Sequence, residues 1–285
     1  MKKIISLLLV LTFIFTGVLM TACDDETKES VEENKTNVET PVEDEQPVED
    51  KQPVEEKKSL TITEGKLTMA TNAQFPPYEF YQDGKIVGID AEIAAAIAEK
   101  LGLELVIEDM EFNSIITAVV SRGADIGLAG MTITEERLES VNFSTSYATG
   151  IQSVIVIDGN GIESLDDLAG KKIGVQLSTT GDIYASDEFG DDNVIKYNKG
   201  ADAVLALIGG DVQAVIIDNE PAKSFVAANA DAGLKILDTE YAVEEYAAAI
   251  SKENTELLDA VNAAIEEMIL DGTVKSIVEK YIPAE

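Results

Sequence analysis

The run Thr132-Ile133-Thr134-Glu135-Glu136-Arg137 sets a guanidinium one turn beyond a threonine suited to cap a helix, with two acidic residues in that helix's first turn. A guanidinium beside free backbone amides is a carboxylate clamp, because its fork donates two parallel hydrogen bonds. Pairing of Arg137 with Glu135 or Glu136 on a solvated face is the competing reading, and these local residues do not separate the two. Further on, Ser178-Thr179-Thr180-Gly181 is small and rich in hydroxyls ahead of Asp182, and would present more amides to the same anion. Asp218 ends an apolar strand, where an unpaired charge is costly, so it calls for a cation; a helix cap before Pro221 is its other reading. With Thr71-Asn72-Ala73-Gln74-Phe75 and Gly130-Met131-Thr132, these segments offer hydroxyls, amides, a carboxylate and an aromatic ring, the groups that recognise a small zwitterion. The chain has no histidine, which removes Ser-His-Asp triads, histidine-based zinc sites and histidine acid/base chemistry.

These segments can meet only if strands deliver them to a common edge. From Gly65 onward, short β-type runs alternate with helical patterns, which predicts an α/β architecture with parallel sheet. Strands are expected at 66–70, 103–108, 125–129, 172–176 and 212–217. Helices are expected at 90–101 (closed by Gly102), 113–122, 164–168, 201–208, from Pro221, at 255–271 and at 274–281. A helix-glycine-aspartate-strand unit is written twice, as Val119 to Ile126 and as Ala206 to Val212, which favours two similar lobes over one continuous sheet. In open α/β sheets ligands bind beyond the carboxyl ends of the strands, and that is where the four chemistry-bearing segments fall.

The start of the chain is of another kind. Lys2 and Lys3, an apolar run from Ile4 to Met20 and small residues before Cys23 have the layout of a secretory signal over residues 1–22. The run is shorter than the roughly 20 residues of a membrane-spanning helix, and Leu19-Met20-Thr21-Ala22-Cys23 resembles a bacterial lipobox. Cys23 is the only cysteine, so no intramolecular disulfide exists, and lipidation is the reading preferred over an incidental thiol or an intermolecular bridge. Residues 23–64 read as a lipidated cysteine and a disordered acidic tether, with Pro-Val-Glu at 41, 47 and 53 and little apolar surface to bury. Of the chain's 54 acidic and 21 basic residues, 40 and 14 lie from Ser59 onward, which argues against nucleic acid or an anionic membrane surface as a partner of the folded part.

Several motifs carry a family resemblance. Ala70 to Phe80, Gly88-Ile89-Asp90, Leu128 to Arg137 and Gly174 to Gly181, in this order and spacing, resemble the polar amino-acid binding proteins of ABC importers, the solute-binding family 3 that includes glutamine, histidine and lysine/arginine/ornithine receptors. The resemblance runs from Gly65 to the C-terminus. It implies a two-lobed, type II periplasmic-binding-protein-like fold with a hinge-bending cleft: lobe I from 65–148 and 246–285, lobe II from 152–243. It further implies that Arg137 grips an α-carboxylate with the amides of Thr132 and Thr180, that Asp218 and the Gly130 carbonyl take an α-ammonium, and that Phe75 and Phe112 sandwich the side chain. Read without the resemblance, both phenylalanines are core residues.

Asn72 stands where several basic-amino-acid receptors carry an aspartate and Gln176 where a glutamine receptor carries a lysine; both leave a neutral polar floor, which favours glutamine over arginine or lysine, and Glu79, Asp90 and Glu108 are the carboxylates that would alter this. Thr179 joins the predicted set. The reading is thus a monomeric, lipid-anchored extracytoplasmic receptor for a free amino acid, serving a membrane permease and needing no cofactor or metal, with arginine, lysine, histidine or cystine as other ligands. Two further readings compete. One is a cyclohexadienyl- or arogenate-dehydratase-like enzyme on the same fold, for which Glu79 and Asp218 are the only evident acid/base candidates; the other is a ligand-presenting sensor component.

Overall fold

The computed structural model describes residues 59–239 and 241–283. The signal-like start, Cys23 and most of the expected tether lie outside the described residues. The tether's expected last residues, however, are packed: Thr61 is buried, and the Ile62 amide donates to Asp125 Oδ1 at 2.7 Å.

In chain order, β1 (Lys66–Thr71) is followed by a small antiparallel sheet of β2 (Gln74–Phe75), β3 (Glu79–Gln82) and β4 (Lys85–Val87). Next come α1 (Ile89–Leu101), β5 (Glu104–Asp109), α2 (Ile115–Val120), β6 (Ile126–Gly127), α3 (Glu135–Ser140) and β7 (Val141–Phe143). The long β8 (Ala148–Ile157) crosses into a second sheet, built with β9 (Ile173–Gln176), α4 (Thr180–Phe189), β10 (Val194–Tyr197), α5 (Gly200–Gly209), β11 (Ala214–Asp218), α6 (Asn219–Ala228) and β12 (Leu234–Ile236). β13 (Ala242–Tyr246) returns beside β8, β14 (Ala249–Ser251) rejoins the first sheet, and α7 (Thr255–Leu270) and α8 (Thr273–Tyr281) pack against α1. The first sheet has the order β5-β1-β6-β14-β7. The second has the order β10-β9-β11-β8-β12, with β13 also on β8.

The local reasons are visible in the residues. Ile89, Ile93 and Ile97 with Ala94 and Ala98 form one buried face of α1, and Gly102 ends the helix at φ 67°, a conformation that a side chain disfavours. Strand β11 is buried along its whole length, as an apolar run in the middle of a sheet requires. Two expectations need correction. The sheets are mixed rather than parallel, because β14 runs antiparallel to β6 and β7, and β8 runs antiparallel to β11, β12 and β13. The helix expected over 113–122 is a 3-10 turn at Phe112–Ser114 followed by the short α2.

The connection between the sheets is the antiparallel pair β8 and β13, in register from Gln152 opposite Ala242 to Ala148 opposite Tyr246. Gly150 lies opposite Glu244 in this ladder, and a Cβ there would overlap the Tyr246 side chain, which is fully buried. Gly150→Ala is therefore expected to destabilise the protein by about 1–3 kcal/mol, the usual cost of overpacking a filled site. A lower urea midpoint at unchanged slope checks it, and a wild-type midpoint contradicts it.

Candidate functional site

The carboxyl ends of β1, β6, β9 and β11 converge on one cleft between the two sheets. Its wall holds all ten residues singled out from the sequence: Asn72, Phe75, Phe112, Gly130, Thr132, Arg137, Gln176, Thr179, Thr180 and Asp218. Glu79 and Ala129 complete it. Of the carboxylates that would alter the neutral floor, Glu79 is on the wall and Asp90 stands directly behind Gly130, whereas Glu108 does not reach it.

Arg137 is buried in the first turn of α3, whose cap is the Thr134 side chain accepting from the Arg137 amide at 3.2 Å. Its guanidinium makes no ion pair with Glu135 or Glu136; Nη1 donates to the Thr132 carbonyl at 2.7 Å and Nη2 to the Ser178 carbonyl at 3.1 Å. It also lies over the Phe112 ring, 5.3 Å from the centroid, a cation–π contact. Burial lowers its affinity for the proton, opposed first by the charge of Glu244 and then by that of Asp218.

Opposite, Thr179 caps α4 by accepting from the Asp182 amide at 3.2 Å, so Thr180 opens a ten-residue helix. The amide of Ser178 is not free as expected, for it donates to Asp182 Oδ2 at 2.9 Å. It is the Ser178 carbonyl, turned by a left-handed φ of 65°, that meets Arg137. At the floor, Gln176 Nε2 donates to Asn72 Oδ1 at 3.0 Å and to the Asn198 carbonyl at 3.1 Å, while Asn72 Nδ2 donates to the Met110 carbonyl at 2.8 Å. The Gln176–Asn72 and Arg137–Ser178 bonds each join the two sheets, so the cleft is closed.

Asp218 sits at the N-cap position of α6, yet its side chain caps nothing. It turns into the cleft, where Gln152 Nε2 donates to Oδ1 at 2.7 Å and the Tyr246 hydroxyl donates to Oδ2. Burial and the nearby charge of Glu244 push its carboxyl up to about 7, with the Tyr246 and Gln152 hydrogen bonds pulling the other way. Behind Gly130, whose amide donates to Asp90 Oδ2 at 2.7 Å, the Asp90 carboxyl is pushed up to about 6 by burial. Glu79 is pushed well above the usual carboxylate range by burial and by Asp90, and neither of its carboxyl oxygens has a hydrogen-bond partner. Gly130 has φ 52°, and a Cβ there would press on the Phe75 ring at 2.9 Å, which keeps that ring against the cleft.

Three residues of this site escaped the sequence reading: Gln152, Glu244 and Tyr246, all on the crossing strands. One signal was present, since Gln152 and Ser153 are polar residues inside the apolar run Ile151–Ile157 and are buried there.

Two α/β lobes joined by a pair of crossing strands around a closed polar cleft define a type II periplasmic-binding-protein-like fold. Residues 67–284 match the model of the bacterial extracellular solute-binding proteins, family 3, and the chain belongs to that family. It is 34% identical over 223 residues to the arginine-binding extracellular protein ArtP of Bacillus subtilis (strain 168), covering 77% of this chain and 87% of that one. Among solved structures, an ancestral arginine-binding protein bound to glutamine is 42% identical at a TM-score of 0.74, covering 78% of this chain and all of that one. The ancestral arginine-binding protein bound to arginine is 43% identical at a TM-score of 0.72, covering 76% and 98%. The chain is a solute-binding protein of the extracytoplasmic space and not an enzyme.

The raised carboxyls set the pH dependence of folding. Asp90 and Asp218 hold protons in the native state at pH values where the unfolded chain, titrating near ~4, has released them. The native state then binds more protons than the unfolded one between about pH 4 and 7, so stability falls as pH rises through that window. The urea midpoint without added amino acid is expected to be higher at pH 5.5 than at pH 7.5; the reverse order contradicts these assignments.

Proposed function

We propose that this protein is the lipid-anchored receptor of an amino-acid ABC importer, closing around one free polar L-amino acid and presenting it to a membrane permease. The observation that carries the reading is the pair of opposite charges, Arg137 and Asp218, buried in one closed cleft without forming an ion pair with each other. A zwitterion supplies the missing partner of each.

In this reading the α-carboxylate takes the guanidinium of Arg137 and the amides of Thr132 and Thr180, the last at the start of α4, where the helix dipole favours an anion. The α-ammonium goes to Asp218, with the Gly130 carbonyl and the Thr132 hydroxyl beside it. Phe75 and Phe112 flank the side chain, whose end reaches the neutral pair Asn72 and Gln176, with Thr179 beside it. That floor favours glutamine. Arginine is the second reading, supported by Glu79, the only lining carboxyl besides Asp218, and by the arginine-binding relatives. Cys23, after a signal at 1–22, supplies the membrane anchor, and the acidic stretch behind it a spacer for a monomeric receptor.

A ligand that binds only the native state raises the melting point, by about 2.7 kcal/mol of stability at a hundredfold excess over Kd. A thermal-shift screen against the twenty amino acids is expected to show shifts confined to glutamine, arginine and close relatives, and Arg137→Ala is expected to abolish them. Shifts that survive in Arg137→Ala contradict the carboxylate assignment, and no shift with any amino acid contradicts the ligand class.

A further inference from the structure

Glu244 stands one layer behind the cleft, 3% exposed, on β13. Its Oε2 accepts from the Thr132 hydroxyl at 3.0 Å and from Gln152 Nε2 at 3.1 Å, and its Oε1 has no partner. The same Gln152 nitrogen donates to Asp218 Oδ1 at 2.7 Å and lies 3.3 Å from Thr180 Oγ1. One amide nitrogen, with only two hydrogens, thus bridges two buried carboxylates and a hydroxyl. No lysine or arginine among the described residues forms a salt bridge with either carboxylate, and Arg137 spends its two donated bonds on carbonyls.

A second buried carboxylate this close, with no cation between them, disfavours the ionised form of Asp218. The titratable and charged groups that face them are Arg137 of α3, Tyr184 of α4, Glu220 of α6, Tyr246 of β13, Glu79 of β3 and Tyr78 just before it. Arg137 alone brings positive charge. The arrangement therefore lacks one cation, and a proton or an ammonium group supplies it.

We infer that Glu244, one layer behind Asp218, keeps the Asp218 carboxyl protonated when no amino acid is bound, and that Asp218 gives this proton up to solvent as the ligand's ammonium enters. The inference rests on the receptor reading above and adds Glu244 to it as a residue that acts through Asp218. No covalent bond to the ligand forms or breaks: the carboxyl O–H loses its proton to buffer, and the ammonium stays charged. The raised carboxyl of Asp218 agrees with this. Since binding releases a proton, affinity rises with pH, and on the acid side of the Asp218 midpoint it falls by up to about tenfold per pH unit. At pH 6.5 the ligand's α-carboxylate is already ionised and its ammonium still charged, as in any free amino acid.

The test is calorimetric titration of the protein with glutamine and with arginine at pH 6.5, in buffers of different ionisation enthalpy. The slope of measured heat against that enthalpy counts protons released. The wild type is expected to release a substantial fraction of one proton per ligand. Glu244→Gln, whose carboxamide oxygen still accepts from Thr132, is expected to bind with a clearly smaller slope and a flatter affinity profile, because the burial of Asp218 remains. Ligand binding by the wild type with zero slope, or a wild-type slope kept in Glu244→Gln, overturns the inference and leaves the receptor reading standing. Binding of no amino acid in any buffer overturns the receptor reading and the inference with it.

Discussion

A guanidinium and a carboxylate are held out of water in one cleft, with a second carboxylate one layer behind, and no ion pair joins the guanidinium to either. Transfer of such charges from water costs several kcal/mol each unless partners replace the lost hydration, and here the protein supplies only part of the replacement. Arg137 is satisfied by two carbonyls, and Asp218 and Glu244 by an amide, a phenol and a threonine hydroxyl. These groups are neutral. They orient the charges and leave each short of a counter-ion, so the cleft favours a small molecule carrying both signs at fixed separation.

The fold is arranged around that imbalance. Four strand ends deliver loops to one edge, where backbone groups can turn inward without breaking the sheets. The carboxylates belong to β11 and β13 in the second sheet, whereas the arginine follows β6 in the first, so opposite charges lie on opposite sides of the cleft. Closure brings Arg137 to Ser178 and Asn72 to Gln176, excluding water and strengthening every charge interaction inside. Gln152 and Glu244 lie on the crossing strands themselves, next to Asp218.

Much of this could be read from residue types. Thr134, the glutamates after it and Arg137 announced a capped helix start, and the cap is present; the choice between a clamp and a surface ion pair needed the fold, because burial decides it. Gly102 marked the end of α1 by its freedom at positive φ. Phe75 and Phe112 read as core on residue type alone, and only the family motif brought them to the cleft. Two features were illegible for the same reason. The antiparallel strands β8 and β13 derive their meaning from pairing across some ninety residues of chain, which no local period encodes, so the sheets were expected parallel and Glu244 was passed over as one more acid in an acidic chain. Helix α4 was hidden by the Ser-Thr-Thr-Gly run, whose residues favour turns and caps more than helix interiors.

The most direct test of the account is a crystal structure of the protein grown with glutamine or arginine. The predicted complex places the α-carboxylate on the Arg137 guanidinium and the α-ammonium on Asp218, with the side chain between Phe75 and Phe112 and its end at Asn72 and Gln176. An amino acid bound with its ammonium remote from Asp218, or outside this cleft altogether, would contradict the claim that unpaired buried charge selects the ligand.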